Sequence, residues 1–267
     1  MSKVILKDKK DLNTLRLNGW KKEGYEIVGS QDEIKRDINV EILSVKFSKI
    51  GQKTFDAYPN LKWIICRSHG YDNINYELAV KYNVGIVCTN PNTSDVANWI
   101  SEKVTGQKVL VLGAGRIGRK FSEIYDGDCK LITSKTQYDF NIVKDYDTIV
   151  VTSSPTSEPI LNNKLLEKFN GHVISVSRPC CIDNQSLLDA INNGKVVRAD
   201  MDMLDSKLRK ELLDTGKCKY YKHTAWGNDK TAYNDEYFES IFNEIDLCFE
   251  SKSKNIALNR FKTPFEV

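Results

Sequence analysis

Short hydrophobic runs alternate with amphipathic stretches along almost the whole chain of 267 residues. The short runs are rich in Val, Ile and Leu, which is typical of strands, and the longer stretches have helical spacing. The strand-like runs are residues 4–6, 26–28, 41–43, 63–66, 85–88, 109–112, 130–132, 148–151, 172–176 and 196–199, and helix-like stretches include 74–82, 116–125, 162–169 and 185–193. Strands that are hydrophobic throughout predict an α/β fold, with parallel sheets covered by helices on both faces.

The number of strands indicates two domains. Ten strands are many for one open sheet, and the alternation restarts at residues 106–108. The amphipathic stretch 229–250 is long enough to be a helix that returns to the first domain. We therefore predict one discontinuous domain of residues 1–98 and 232–267, and a second domain of residues 99–231.

Composition excludes several classes of protein. Hydrophobic residues make up 40% of the chain, and the 39 basic residues nearly balance the 36 acidic ones, which leaves a net charge of +3. We therefore expect a folded protein without a nucleic-acid or membrane partner. Seven scattered cysteines without a C-x-x-C spacing, together with three histidines, favour reduced thiols over a zinc site or a disulfide framework. With no run resembling a signal peptide, the expected location is the cytoplasm.

A glycine-rich turn follows the strand-like run 109–112. Gly113, Gly115 and Gly118 form the pattern G-x-G-x-x-G, and Arg116 and Ile117 open the helix-like stretch behind it. Such glycines permit a tight turn, a close approach of the backbone to a pyrophosphate, and packing of helix on strand. The pattern predicts dinucleotide binding, and the alternative is a glycine turn in an empty domain.

The end of the next strand indicates which dinucleotide is bound. An acid about 20 residues after the glycine turn would bind the ribose of NAD, but this position carries Ser134, Lys135 and Thr136. Hydroxyl donors and a positive charge suit the 2′-phosphate of NADP. The sequence therefore favours NADP, with NAD possible, and the alternative is a solvated turn that binds nothing.

Five segments carry a resemblance to a known family. They are residues 60–75 with the core Gly70-Tyr71-Asp72-Asn73-Ile74, residues 85–91, residues 174–178, positions between 183 and 202, and His223-Thr224-Ala225-Trp226-Gly227. Their order resembles that of the D-isomer-specific 2-hydroxyacid dehydrogenases, and the glyoxylate/hydroxypyruvate reductases among them. The resemblance implies two Rossmann-like domains, one flavodoxin-like and one NAD(P)-binding, with an interdomain cleft. It also implies hydride transfer between a nicotinamide and a small 2-oxo acid.

The resemblance assigns roles to individual residues. Arg178 would bind the substrate carboxylate and carbonyl, and His223 would be the general acid in reduction; their alternatives are a surface arginine and a hydrogen-bonded loop histidine. His172, at the start of a strand, is interpreted as structural or exposed. The substrate carboxylate would meet Ser68, His69 and Gly70, and further cofactor contacts would come from Ser153, Pro155, Asp202 and Gly227.

The chain departs from the family pattern at two places that bear on catalysis and on assembly. The family pairs its catalytic histidine with a Glu shortly after the position of Asp202, but no Glu appears here before Glu211, and Asp205 is the nearest substitute. The family's long helix and linker before the glycine turn are also shortened, which predicts a monomer or an atypical homodimer. These departures keep open an alternative function, a catalytically weak or inactive nucleotide-sensing protein on the same fold.

Overall fold

The computed structural model describes residues 2–6, 25–28, 34–46, 48–67, 71–88, 93–133 and 140–227. These residues form two compact units, one ending with Cys88 and the other beginning with Thr93. The helix Thr93–Lys103 lies in the second unit and crosses residue 98, the predicted end of the first domain. The predicted return of residues 232–267 lies outside the described residues, so the domain limits stay a prediction.

The first unit contains a parallel sheet of five strands. Its strands are β1 (Ser2–Leu6), β2 (Tyr25–Val28), β3 (Val40–Val45), β4 (Trp63–Cys66) and β5 (Gly85–Cys88), and its described helices are α1 (Gln52–Ala57) and α2 (Tyr76–Lys81). The spatial order is β2-β1-β3-β4-β5, which is the flavodoxin-like order. Strands β4 and β5 are buried along their whole length, as the hydrophobic runs predict.

The second unit contains a parallel sheet of six strands. Its strands are β6 (Lys108–Leu112), β7 (Asp128–Ile132), β8 (Thr148–Val151), β9 (Gly171–Ser175), β10 (Val196–Met201) and β11 (Cys218–Tyr220). Its helices are α3 (Thr93–Lys103), α4 (Arg116–Ile124), α5 (Asn163–Leu166), α6 (Asn184–Asn192) and α7 (Arg209–Asp214), with 3₁₀ turns at Phe140–Asp145 and Pro179–Cys181. The strand order is β11-β10-β9-β8-β6-β7.

Both faces of the second sheet are buried. Along β6, Leu110 and Leu112 pack into one hydrophobic core, while Val109 and Val111 pack into the other. Side chains alternate between the faces of a strand, so burial of both faces requires a continuous hydrophobic run. The predicted α/β class with two parallel-sheet domains is confirmed.

Each of the ten predicted strands overlaps an observed one, but strand β11 and helices α1, α3 and α7 were not among the named predictions. Strand β11 has three residues at the sheet edge, and exposed Lys219 interrupts its hydrophobic pattern. Helix α3 occupies the region before the glycine turn that is predicted to be shortened, with Val96, Ala97 and Ile100 on its buried face. No helix among the described residues is long and apolar enough to cross a membrane.

Candidate functional site

The glycine turn joins β6 to α4 at the point where the sheet order reverses. From β6 the chain crosses to β7 on one side, and β8 lies on the other side. In open α/β sheets, ligands bind beyond the carboxyl ends of the strands at this switch point. The predicted cofactor residues of the turn and those after β8 therefore lie at the edge of the sheet where a ligand is expected.

Each glycine of the turn meets a different steric demand. Gly113 has a φ of 121°, and a Cβ there would lie 2.6 Å from the backbone N of Ser153. A Cβ on Gly118 would clash with the carbonyl oxygen of Gly113. At Gly115, by contrast, a Cβ would meet no atom within 4 Å. The backbone that precedes α4 is thus open where a pyrophosphate would approach it.

Contacts with the residue after β8 and with the end of β7 hold the turn in place. The Thr152 hydroxyl donates to the carbonyl oxygen of Gly113 at 2.7 Å, and the Gly113 N–H donates to the carbonyl oxygen of Ile132 on β7 at 2.9 Å. Sequence reasoning missed Thr152, because its role depends on a strand pairing that no local pattern shows. The Ser153 Oγ is buried and has no hydrogen-bond partner among the described residues.

An open backbone at Gly115 and an unpaired buried hydroxyl at Ser153 are what a bound dinucleotide would occupy, so the described residues fit such a group. Arg116 and Ile117 begin α4, with Arg116 exposed, and Pro155 follows β8 beside Ser153. Ser134, Lys135 and Thr136 lie outside the described residues, as do Ser68, His69 and Gly70.

Arg178 stands immediately after β9, next to the residues that follow β8. The Ser177 hydroxyl donates to the carbonyl oxygen of Ser153 at 2.8 Å, which links the two strand ends. The Arg178 side chain is half-buried, and its Nη1 lies 3.3 Å from the Sδ of Met203. Its guanidinium is thereby turned from the end of β9 toward the end of β10.

Asp202, which directly follows β10, is the centre of a small cluster. Its side chain belongs to a residue that is only 2% exposed, and its Oδ1 accepts the Ala225 N–H at 2.9 Å. Burial raises the pKa of Asp202, although the Ala225 N–H and the positive charges of His223 and Arg178 act in the opposite direction. The structure thus brings the predicted residues Arg178, Asp202 and His223 into one electrostatic neighbourhood.

His223 is exposed and lies in a strained turn after β11. Lys222 and His223 have φ values of 55° and 60°, which residues other than glycine rarely adopt. The turn is held by the N–H of His223, which donates to the backbone carbonyl of Asp202 at 2.7 Å, and by the indole of Trp226, which donates to the His223 carbonyl at 2.5 Å. Backbone strain of this kind concentrates at functional sites.

Two further predicted residues have local roles. The Oδ1 of Asp205 accepts the N–H of Lys207 at 2.7 Å and so closes a turn of its own loop. Gly227 has a φ of 105°, and its N–H donates to the carbonyl oxygen of Thr224 at 3.1 Å. Among the described residues, no group of three or more His, Cys, Asp or Glu side chains could hold a metal ion.

Comparisons with known proteins agree with this geometry. The family model "D-isomer specific 2-hydroxyacid dehydrogenase, catalytic domain" matches residues 20–139, and the model of that family's NAD binding domain matches residues 91–225. A D-lactate dehydrogenase of Staphylococcus aureus is 23% identical over 309 aligned positions, which cover 88% of this chain and 93% of that protein. The alignment is longer than this chain, so the chain carries gaps against that relative.

Two solved structures have the same fold. One is an NADPH-dependent glyoxylate/hydroxypyruvate reductase of Sinorhizobium meliloti in complex with NADP and malonate, with a TM-score of 0.72 at 17% identity and coverage of 94% of each chain. The other is the NAD⁺-bound 3-phosphoglycerate dehydrogenase of Entamoeba histolytica, with a TM-score of 0.73 at 16% identity, covering 97% of this chain and 99% of that one.

Proposed function

The chain belongs to the D-isomer specific 2-hydroxyacid dehydrogenase family, and we propose that it transfers hydride between NADP(H) and a small 2-oxo acid of the glyoxylate or hydroxypyruvate kind. Membership of the family makes it an oxidoreductase with a nicotinamide cofactor and a small-molecule substrate. The proposal adds the preference for NADP, the size of the substrate, and the roles of Arg178 and His223.

The cofactor side of the proposal draws on the turn after β6. The open backbone at Gly115 and the start of α4 would receive the pyrophosphate, with Arg116 and Ile117 beside it. Ser134, Lys135 and Thr136 would contact the 2′-phosphate, for which an acidic residue would be unsuitable. Ser153, Pro155, Asp202 and Gly227 would line the rest of the cofactor, and the bound nicotinamide would supply or accept the hydride at its C4 atom.

The catalytic side follows from the charge that reduction creates. When the C2 carbon of the 2-oxo acid gains a hydride, its carbonyl oxygen takes up negative charge and needs a cation and a proton. The planar guanidinium of Arg178 can contact carboxylate and carbonyl oxygens at once. His223 would hold the proton that completes the hydroxyl group, and imidazole is suited to this exchange near neutral pH.

One observation carries the proposal. The Arg178 Nη1 lies 3.3 Å from the Sδ of Met203, the residue after Asp202, and the His223 N–H donates to the backbone carbonyl of Asp202 at 2.7 Å, so residues from the ends of three different strands meet at Asp202. Ser177, which precedes Arg178, donates its hydroxyl to the carbonyl oxygen of Ser153, and the backbone of Ser153 packs closely against Gly113 of the glycine turn. Arg178, His223 and the glycine turn thus lie along one edge of the sheet, and this arrangement supports the proposed reduction of a 2-oxo acid.

The direct test is NADPH consumption with a panel of 2-oxo acids that includes glyoxylate, hydroxypyruvate and pyruvate. We expect turnover with at least one small substrate, and slower turnover with bulkier side chains. NADPH binding without consumption on any substrate would contradict the proposal. It would favour the nucleotide-sensing alternative, which the absence of the family's Glu keeps open.

The cofactor preference has its own test. The double variant Ser134→Asp with Lys135→Ala replaces the positive charge by an acid, so the ratio of kcat/KM for NADPH over NADH should fall at least about tenfold, which corresponds to ~1.4 kcal/mol. The single variant Lys130→Ala, on β7 of the same sheet, is the matched loss of one positive charge and should leave that ratio unchanged. An unaltered ratio in the double variant would show that this loop does not contact the phosphate.

A further inference from the structure

The absence of the family's Glu raises the question of which group orients His223 and maintains its proton affinity. A carboxylate near a histidine raises the pKa of the imidazole and fixes the direction of the ring. Asp205 is the nearest acid to the missing Glu in sequence. In the structure its Oδ1 accepts the N–H of Lys207, which is the geometry of a local turn.

Asp202, unlike Asp205, makes two hydrogen bonds with the segment of residues 223–225. Its backbone carbonyl accepts the His223 N–H at 2.7 Å, and its carboxylate accepts the Ala225 N–H at 2.9 Å. These two bonds enclose the strained residue between them. Lys222 and His223 both have positive φ values, and such a conformation persists only where the surroundings hold it.

The carboxylate of Asp202 also interacts electrostatically with His223. The residue is 2% exposed, so water screens its carboxylate little. Two positive groups act on it, Arg178 from the end of β9 and His223 from the loop after β11. Because such interactions are mutual, we expect the negative charge of Asp202 to favour the protonated form of His223.

We propose that Asp202 is the positioning residue of His223, holding its backbone in the strained turn and its imidazole in the protonated form, in place of the Glu that the family uses. The inference rests on the proposed function as far as catalysis is concerned. Its structural content does not, since the two hydrogen bonds that Asp202 accepts from residues 223 and 225 are present in the protein without substrate. In this role Asp202 acts on the proton transfer through His223, in addition to its proposed place beside the cofactor.

The decisive experiment is an NMR titration of the imidazole protons in the cofactor-free protein. The chain has three histidines, so the variants His223→Gln and His172→Gln suffice to assign the signals. In Asp202→Asn the pKa of His223 should fall by about one pH unit, because a nearby negative charge is lost. In Asp205→Asn, the matched control, it should stay where it is. A shift in the Asp205 variant alone, or in neither, would overturn the proposal.

A second measurement does not depend on whether Asp202→Asn folds. His223 is exposed, so His223→Gln should fold, and in it the pKa of the Asp202 carboxyl, followed by carbon NMR, should rise because a positive neighbour is lost. An unmoved Asp202 pKa would overturn the pairing. The falling alkaline limb of the reductase pH profile should also move to lower pH in Asp202→Asn. If the wild type shows no turnover while both NMR shifts occur, the proposed function fails and the pairing stands.

Discussion

Asp200 and Asp202 lie two positions apart at the end of the same strand, both buried, yet their surroundings differ sharply. Asp200 is fully buried, with its Oδ2 2.7 Å from the Nε2 of His172 and 2.6 Å from the Nε of Arg198. The Tyr221 hydroxyl donates to its Oδ1 at 2.6 Å. Asp202 instead has backbone N–H donors and the more diffuse charges of His223 and Arg178.

The difference appears in the direction of the two pKa shifts. Burial alone would raise the pKa of Asp200, but the hydrogen bonds with His172 and Tyr221 and the ion pair with Arg198 outweigh it and hold the pKa well below its usual range. Burial raises the pKa of Asp202, and its partners do not cancel the effect. The fold thus stabilises the charged form of Asp200, whereas burial destabilises the charged form of Asp202.

The Asp200 network also secures the segment that leads to His223. Tyr221, two residues before His223, meets Trp99 of α3 edge to face with ring centroids 5.0 Å apart, and Lys103 lies over both rings. The Nδ1 of His172 lies 3.0 Å from the Thr105 hydroxyl, just after α3. The rigid network around Asp200 therefore supports the strained turn that Asp202 holds.

The largest expected effect is the loss of turnover when a charged group near Asp202 is removed. Arg178→Ala and His223→Ala should each lower kcat/KM between about a hundredfold and ten-thousandfold, because each removes a group that meets the developing charge. NADPH affinity, measured by fluorescence titration, should change little. Lys195→Ala, at an exposed position of the same unit, is the control and should retain wild-type turnover. Retained turnover in Arg178→Ala and His223→Ala would refute both assignments.

The sequence predicts those parts of the candidate site that depend on local pattern. The glycine turn was predictable because strand, turn and helix are contiguous, and Arg178 and His223 followed from short matching segments. For His172 the sequence allows a structural or an exposed position, and the structure shows the residue 1% exposed and hydrogen-bonded to Asp200. The contrast between Asp200 and Asp202 was out of reach, because their partners come from Tyr221 and Ala225, more than 20 positions away along the chain.

The second expected effect is on stability. Asp200→Asn removes the charge from a buried ion pair and should lower the free energy of unfolding by about 3 kcal/mol, at the lower end of the usual range because Arg198 reaches solvent. Asp202→Asn should change it by less than about 1 kcal/mol, since an amide oxygen can still accept the Ala225 N–H. Urea unfolding at neutral pH measures both. Equal losses in the two variants would remove the distinction between the two carboxyl groups.

We expect the two carboxyl groups to change the stability of the fold in opposite directions as the pH falls. The pKa of Asp200 is lowered by folding, so its stabilising contribution is present above the unfolded pKa of ~3.9 and is lost as the pH falls below that value. The pKa of Asp202 is raised by folding, so its protonation stabilises the folded state as the pH falls through the raised value. Urea midpoints across the acid range should therefore bring Asp200→Asn closer to the wild type as the pH falls. For Asp202→Asn, a difference from the wild type that did not change with pH would contradict the raised pKa.

The smallest effect is expected where Asp200 loses one of its three partners. Tyr221→Phe removes the hydroxyl donor but keeps the ring against Trp99, so the free energy of unfolding should fall by only about 1 kcal/mol. Tyr220→Phe, at the neighbouring position of β11, is the matched control, since the Tyr220 ring contacts Arg209 rather than Asp200. If Tyr221→Phe leaves stability intact but moves the pKa of His223, the two aspartates form one network. If it lowers stability and leaves the pKa of His223 unmoved, Asp200 supports the turn and Asp202 sets the charge of its histidine as separate functions.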